Sequence, residues 1–341
     1  MRMGKSLNVE KEVNQRLAYE DELYEKYRPN FSKQDYLAKS KKPIPTGYHH
    51  LDNKLNYGFA SNQLIVLGGA SGVGKTALAL NIVDNMAKNF RDVFVFSLTA
   101  SRRELVFRLL SRQFFLDEKK EEGKSSALKN PIPYPTMITK RNDIYADYKM
   151  HQSYRRAEEI YDKTQNIFLT IFDRDDVDSI EQIEASVERH IKEALMVPVI
   201  LVDDLQLLSM SQSKGSTKER VIENARRLKA LAKKYDKPVI AISSINHSSY
   251  TKPVTRDSFK EFGELESISD VLLGLQPKGV STNERTSELL PENRDLELVI
   301  LKNRNGKQGT IPFRANMQFN NIEERFEDFR ANNFEERFEE N

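Results

Sequence analysis

QLIVLGGASGVGKTALALNIV, residues 63–83, carries three signals in a row. QLIVLGG (63–69) is a nearly continuous apolar run of the kind that forms a strand buried on both faces. GASGVGKT, Gly69 to Thr76, completes the pattern G-x-x-x-x-G-K-[ST], and TALALNIV has the composition of a helix. Strand, glycine-rich loop and helix in that order define a phosphate cradle. Gly69, Ala70, Ser71, Gly72, Val73 and Gly74 wrap the phosphates so that backbone N–H groups point inward, and the positive end of the helix dipole adds to them. In such a loop Lys75 reaches the β- and γ-phosphates and the Thr76 hydroxyl binds Mg²⁺, so ATP and magnesium are the expected ligands.

The rhythm of the cradle repeats outward. DVFVFSL (92–98), NIFLTIF (166–172), PVILVDD (198–204) and PVIAISS (238–244) are further short apolar runs. Helical segments lie between them: SRRELVFRLLSRQFF, SIEQIEASVERHIKEAL and ERVIENARRLKALAKKY. Alternating strand and helix implies an α/β fold with a mostly parallel sheet covered on both sides. PVILVDD places Asp203 at a strand end, where a P-loop protein holds its magnesium through water. LELVILKNR (296–304) and GTIPFRA (309–315), joined by NGKQG, read as a hairpin. Residues 117–165 interrupt the rhythm with a charged run and NPIPYP, and read as an excursion within the domain.

Composition bounds the rest. The chain has 341 residues, 38% hydrophobic, enough to bury one large core or two modest ones. Its 53 Lys and Arg against 51 Asp and Glu give no overall case for nucleic-acid binding, which must come from local clusters. Cysteine is absent, which excludes disulfides, thiolate catalysis and cysteine-based zinc sites. The five histidines have no ligand spacing. The N-terminus lacks a signal-peptide core, and no window approaches the roughly 20 apolar residues that span a bilayer, so a cytoplasmic protein is expected. Residues 1–43 read as a helical extension or a solvated tail, 44–320 as the P-loop domain, and 321–341 as an acidic tail in which EERFE occurs twice, either a partner-binding helix or solvated chain.

Several stretches, in order over residues 44–315, resemble the RecA-like motor domain of replicative hexameric DNA helicases of the DnaB type. They are IPTGYHHLDNKLNYGFASNQLIVLGGASGVGKTALALNIV, FSLTASRRELVFRLL, VILVDDLQLL, RRLKALAKKYDKPVIAISSIN, FKEFGELESISDVLLGL and LVILKNRNGKQGTIPF. The resemblance implies a ring, a homo-hexamer, with ATP between subunits and single-stranded DNA in the channel. It implies that Lys302 and Arg304 reach toward the neighbouring subunit's γ-phosphate as a finger pair. It also implies a loader, initiator or primase as partner.

The chain departs from that family's pattern at several points. Thr99 stands where the family has its catalytic glutamate, and Ser244 where it has a phosphate-sensing glutamine. Asp204 replaces a tyrosine, and about 43 residues precede the motor where the family has a large primase-docking domain. A threonine does not accept a proton from water as a carboxylate does, so Asp204, or else Glu104, is the candidate replacement.

Two polar stretches follow strands at the sheet's ligand-bearing edge. SMSQSKGSTKER (209–220) carries Lys214, Lys218 and Arg220, and NHSSYTKPVTRDSFK (246–260) carries Lys252 and Arg256 with His247, Tyr250 and Lys260. They read as a sequence-independent grip on phosphates or as mobile surface loops. The expected function is an ATP-dependent helicase or translocase on single-stranded DNA in plasmid, phage or mobile-element replication. The competing expectation is a non-hydrolysing assembly or adaptor protein on the same fold.

Overall fold

The computed structural model describes residues 42–121, 131–139, 154–155, 158–159, 161, 168–210, 216–259, 263–280 and 293–325. The extension expected at 1–43 lies outside the described residues except for its last two. Elements run in the order α1 (His49–Lys54), β1 (Leu64–Gly69), α2 (Lys75–Lys88), β2 (Val93–Ser97), α3 (Arg102–Glu121), α4 (Tyr134–Thr139), β3 (Leu169–Asp173), α5 (Ile180–Ala194), β4 (Val199–Asp203), α6 (Thr217–Tyr235) and β5 (Val239–Ser244). After them come α7 (Glu264–Ile268), β6 (Val271–Pro277), β7 (Asn293–Asn303), β8 (Gly309–Asn316) and β9 (Asn321–Glu324).

Among the described residues one sheet of nine strands has the order β3-β2-β4-β5-β1-β6-β7-β8-β9. Pairing is parallel from β3 through β6, and β7, β8 and β9 are added antiparallel. Alternate residues of the central strands enter two cores. Ile65, Leu67, Val93, Val95, Leu201 and Ile240 face the core that takes in α2 and α3. Leu64, Val66, Phe94, Phe96, Val202 and Ala241 face the core that takes in α5 and α6. Both faces being covered explains why these strands read as continuous apolar runs rather than alternating ones. Packing at β1 is close: a Cβ added to Gly68 would lie 2.3 Å from the Phe259 ring.

The expected mostly parallel sheet and the hairpin are present, with four differences from the sequence reading. Strand β6 was not read as a strand, although VLLGL is a buried apolar run pairing with both β1 and β7. Helix α3 continues to Glu121 through part of the charged run, whose Glu and Lys residues are good helix formers. Helix α6 starts at Thr217 because Ser216 and Glu219 form a capping box, so Lys218 and Arg220 stand in a first helical turn rather than in a loop.

The fourth difference concerns the boundary at 320/321. Residues 321–324 form a strand on β8 and not the start of a tail. Asn81 of α2 holds that strand: its Oδ1 accepts from the Ile322 N–H at 3.0 Å and its Nδ2 donates to the Asn320 carbonyl at 2.7 Å. The Glu324 carboxylate accepts from the N–H groups of His50 and Leu51 at the start of α1, and burial pushes its carboxyl above the usual range. The remainder of the expected tail, with the second EERFE, lies outside the described residues. No described helix is long and apolar enough to cross a membrane.

Candidate nucleotide site

The loop from β1 to α2 has the backbone its sequence demands. Gly72 and Gly74 have φ of +75° and +115°, the left-handed region that favours glycine. Helix α2 begins at Lys75 directly after Gly74, so its first turn faces the loop. Lys75 Nζ donates to the carbonyls of Gly69 and Ala70 at 2.9 and 3.0 Å, which folds the side chain back over the cradle. A cleft of about 700 Å³ opens over the loop, within the usual range for small-molecule sites.

Sheet register brings the acids to this loop. Strands β2 and β4 pair Ser97 with Asp203, so Thr99, two residues further on, arrives beside the same carboxylate. Asp203 Oδ2 accepts from Thr76 Oγ1 at 2.7 Å and from Thr99 Oγ1 at 3.3 Å. Burial holds the Asp203 carboxyl above the ordinary aspartate range; the Thr76 hydrogen bond opposes this and the Asp204 charge adds to it. A hydroxyl and a buried carboxylate side by side next to a phosphate loop suit a hard, oxygen-binding cation, whose charge would offset that burial.

Asp204 lines the same cleft, with Ser244 Oγ donating to its Oδ2 at 3.0 Å and the Gln206 N–H to its Oδ1 at 2.9 Å. Glu104 also lines the cleft, but its Oε1 accepts from Arg108 at 2.7 Å within helix α3.

The far wall was not read from sequence. Arg294, Met317 and Asn320, from the antiparallel end of the sheet, face Arg108 and Tyr134 from α3 and α4 across the cleft. Arg108 lies over the Tyr134 ring, 5.0 Å from its centroid. Arg294 donates to the Gly72 carbonyl at 2.9 Å, while its Nε and the Asn320 Nδ2 are buried with no hydrogen-bond partner. Burial pushes the Arg294 guanidinium pKa down. More than 200 residues separate this arginine from the loop it touches, so only the strand order β1-β6-β7-β8 brings them together.

The other expected catalytic and DNA-binding residues that are described stand outside the cleft. Lys302 Nζ is bound by the carbonyls of Ser269 at 2.6 Å and Glu266, and burial lowers its pKa. The Arg304 side chain is 71% exposed and touches Asp270 at 3.3 Å. Lys214 lies outside the described residues. Lys218 is exposed and pairs with Glu264 at 3.3 Å, and Lys252 is exposed. Arg220 donates to the Gln206 carbonyl, and Arg256 binds the Leu301 carbonyl and Glu266, so both guanidinium groups have partners within the chain.

A glycine-rich cradle, a lysine over it and a hydroxyl–carboxylate pair at the parallel strand ends define a RecA-like P-loop nucleotide-binding domain. The sequence profile of the DnaB-like helicase C-terminal domain matches residues 43–328, and the chain belongs to that family. It is 29% identical to the replicative DNA helicase DnaC of Bacillus subtilis and to DnaB of Geobacillus stearothermophilus, over 84% of this chain and 58% of each relative. A probable replicative DNA helicase of Trieres chinensis is 27% identical over 82% of this chain and 58% of its own length. The chain thus spans less than two thirds of these relatives. Among solved structures, an isolated ATPase domain superposes with a TM-score of 0.68 at 21% identity, covering 85% of this chain and 94% of that one. A DnaB-like replicative helicase, studied for its interactions with primase, gives 0.67 at 21% identity, over 86% of this chain and 67% of that one. These superpositions bear on the fold.

Proposed function

We infer that this chain is the ATP-hydrolysing motor of a DNA helicase, a translocase on single-stranded DNA that works as a ring, a homo-hexamer. The observation that carries this is the contact of Thr76 with buried Asp203 beside Lys75, on a chain of this family. The loop N–H groups and Lys75 bind the triphosphate, and Thr76 and Asp203 hold magnesium, which neutralises charge on the β- and γ-phosphates. Arg304, exposed at the hairpin, reaches the neighbouring copy's γ-phosphate, with Lys302 beside it. A cation there stabilises charge on the transferring phosphoryl group, and its loss costs about 10³ to 10⁵ in rate.

The segments after β4 and β5, with Lys214, Lys218 and Lys252, line the channel and neutralise DNA phosphates without reading bases. Arg220 and Arg256 support those segments through their internal bonds. A loader, initiator or primase recruits the ring, as the primase interactions of the structural relative suggest.

Complementation tests the shared site. Lys75→Ala and Arg304→Ala are each expected to abolish DNA-stimulated ATP turnover. Mixed in equal amounts, they restore turnover, because about a quarter of the seams then join an intact Lys75 to an intact Arg304 from the next copy. Mixtures as inactive as their components would refute the shared site. ATP binding without turnover in the wild type would favour the assembly or adaptor role.

A further inference from the structure

Two carboxylates stand at the end of β4 in contrasting environments. Asp203 is 3% exposed and is engaged by Thr76 and Thr99. Asp204 is half-buried and lines the cleft, with its two oxygens fixed by different donors. One donor is the Ser244 hydroxyl at the end of β5, the other the backbone N–H of Gln206. Gln206 is in turn immobilised: its Nε2 donates to Ser243 Oγ at 2.8 Å and its Oε1 accepts from the Ser244 N–H at 3.1 Å. The β4 turn and the β5 end are thereby cross-linked around one carboxylate.

The third carboxylate among the described residues lining this cleft, Glu104, is engaged by Arg108. Neighbouring acids in unlike settings commonly divide their roles. Here the buried one suits a cation, and the half-buried, rigidly held one suits a water molecule.

Thr99, Asp204 and Ser244 are therefore not scattered. They bind one another's neighbours in a single cluster beside the phosphate loop, where the Thr99 hydroxyl supports the metal carboxylate and the Ser244 hydroxyl supports Asp204.

We propose that Asp204, positioned by Ser244 and Gln206, orients the water that attacks the terminal phosphate, in place of a carboxylate at position 99. This rests on the ATPase function proposed above. The Asp204 carboxylate accepts a hydrogen bond from the water and directs its oxygen at the γ-phosphorus. A bond forms between that oxygen and phosphorus, the bond to the β,γ-bridging oxygen breaks, and its electron pair leaves on ADP. Both protons of the water depart with inorganic phosphate. Asp204 is the catalytic residue here and Ser244 a positioning residue.

The test uses the full chain with Mg-ATP and single-stranded DNA, with Lys75→Ala as the zero of turnover. Affinity for a fluorescent non-hydrolysable ATP analogue and melting temperature are measured beside it. Asp204→Asn is expected to lower kcat by about 10² or more while analogue affinity stays within about twofold. Ser244→Ala lowers kcat by about tenfold with KM little changed, and Ser244→Thr, which keeps the hydroxyl, loses less. Adding Thr99→Glu to Asp204→Asn restores part of the lost turnover by returning a carboxylate to the cleft from β2.

An Asp204→Asn protein that turns over within about threefold of wild type overturns the proposal, since a water-orienting carboxylate is worth far more. Parallel loss of turnover and analogue affinity also overturns it and makes Asp204 a nucleotide or metal holder. Should Asp204→Asn melt early, the contrast of Ser244→Ala with Ser244→Thr decides, equal losses counting against the proposal. A wild type no faster than Lys75→Ala removes the ATPase function and this inference together, an outcome distinct from an active wild type indifferent to Asp204.

Discussion

Removing the Asn81 side chain tests whether β9 belongs to the body of the domain. Asn81 is fully buried in α2 and bonds the Ile322 N–H and the Asn320 carbonyl at 3.0 and 2.7 Å. Asn81→Ala leaves one buried donor and one buried acceptor unpaired, each costing about 1–3 kcal/mol, so the variant loses about 2–6 kcal/mol. At roughly 2–4 °C per kcal/mol for a domain of this size, melting falls by about 5–20 °C. The assay is thermal unfolding at fixed protein concentration without nucleotide, with Asn305→Ala at the exposed hairpin turn as control. The control is expected within about 0.5 kcal/mol of wild type. A truncation sharpens the result: ending the chain after Asn320 lowers melting at least as far as Asn81→Ala. An Asn81→Ala protein that melts within about a degree of wild type would refute the reasoning.

Arg294→Ala removes the bond to the Gly72 carbonyl and a half-buried guanidinium from the cleft wall, and weakens ADP binding by about tenfold or more, measured by titration calorimetry. Unchanged affinity would show that this wall does not meet the nucleotide. Burial holds the Asp92 carboxyl above its ordinary value of 3.8, against its hydrogen bond with His190. The folded chain thus binds that proton more tightly than the unfolded chain. The resulting stabilisation is complete below about pH 4 and is lost as pH rises through the raised value. Asp92→Asn has no such titration, so its melting temperature should climb relative to wild type between about pH 4 and pH 7; a constant offset would count against the assignment.

The parts of the fold visible in the sequence are those whose signal is local. The parallel strands are legible as apolar runs because both faces of the central ones are covered, and the phosphate loop because glycine supplies its left-handed turns. Helix α6 has its start signal in Ser216 and Glu219, a capping box that lies inside a polar, cation-bearing run. Strand β9 reads as acidic tail because NIEE has a single large apolar residue; its Glu324 is buried where its carboxylate accepts from the N–H groups of His50 and Leu51 at the start of α1.

Lys75, Thr76 and Asp203 were legible because motif and strand end fix their places. Arg294 and Asn320 were not, since nothing near them in sequence marks a ligand and only the antiparallel extension of the sheet carries them to the loop. Cation clusters carry no such marker: sequence alone does not show that Arg220 bonds the Gln206 carbonyl or that Arg256 bonds the Leu301 carbonyl and Glu266.

Asp270 accepts from the Leu64 N–H at the start of β1 and from Lys229, and it holds Arg304 through both its carboxylate and its carbonyl. Gly69, at the other end of that six-residue strand, opens the phosphate loop. One stiff rod about 20 Å long therefore has the proposed nucleotide site at its tip and, at its butt, the arginine proposed to meet the adjacent copy. Tilting the rod would swing that arginine as well, so in the proposed ring the order of hydrolysis becomes a matter of mechanical leverage.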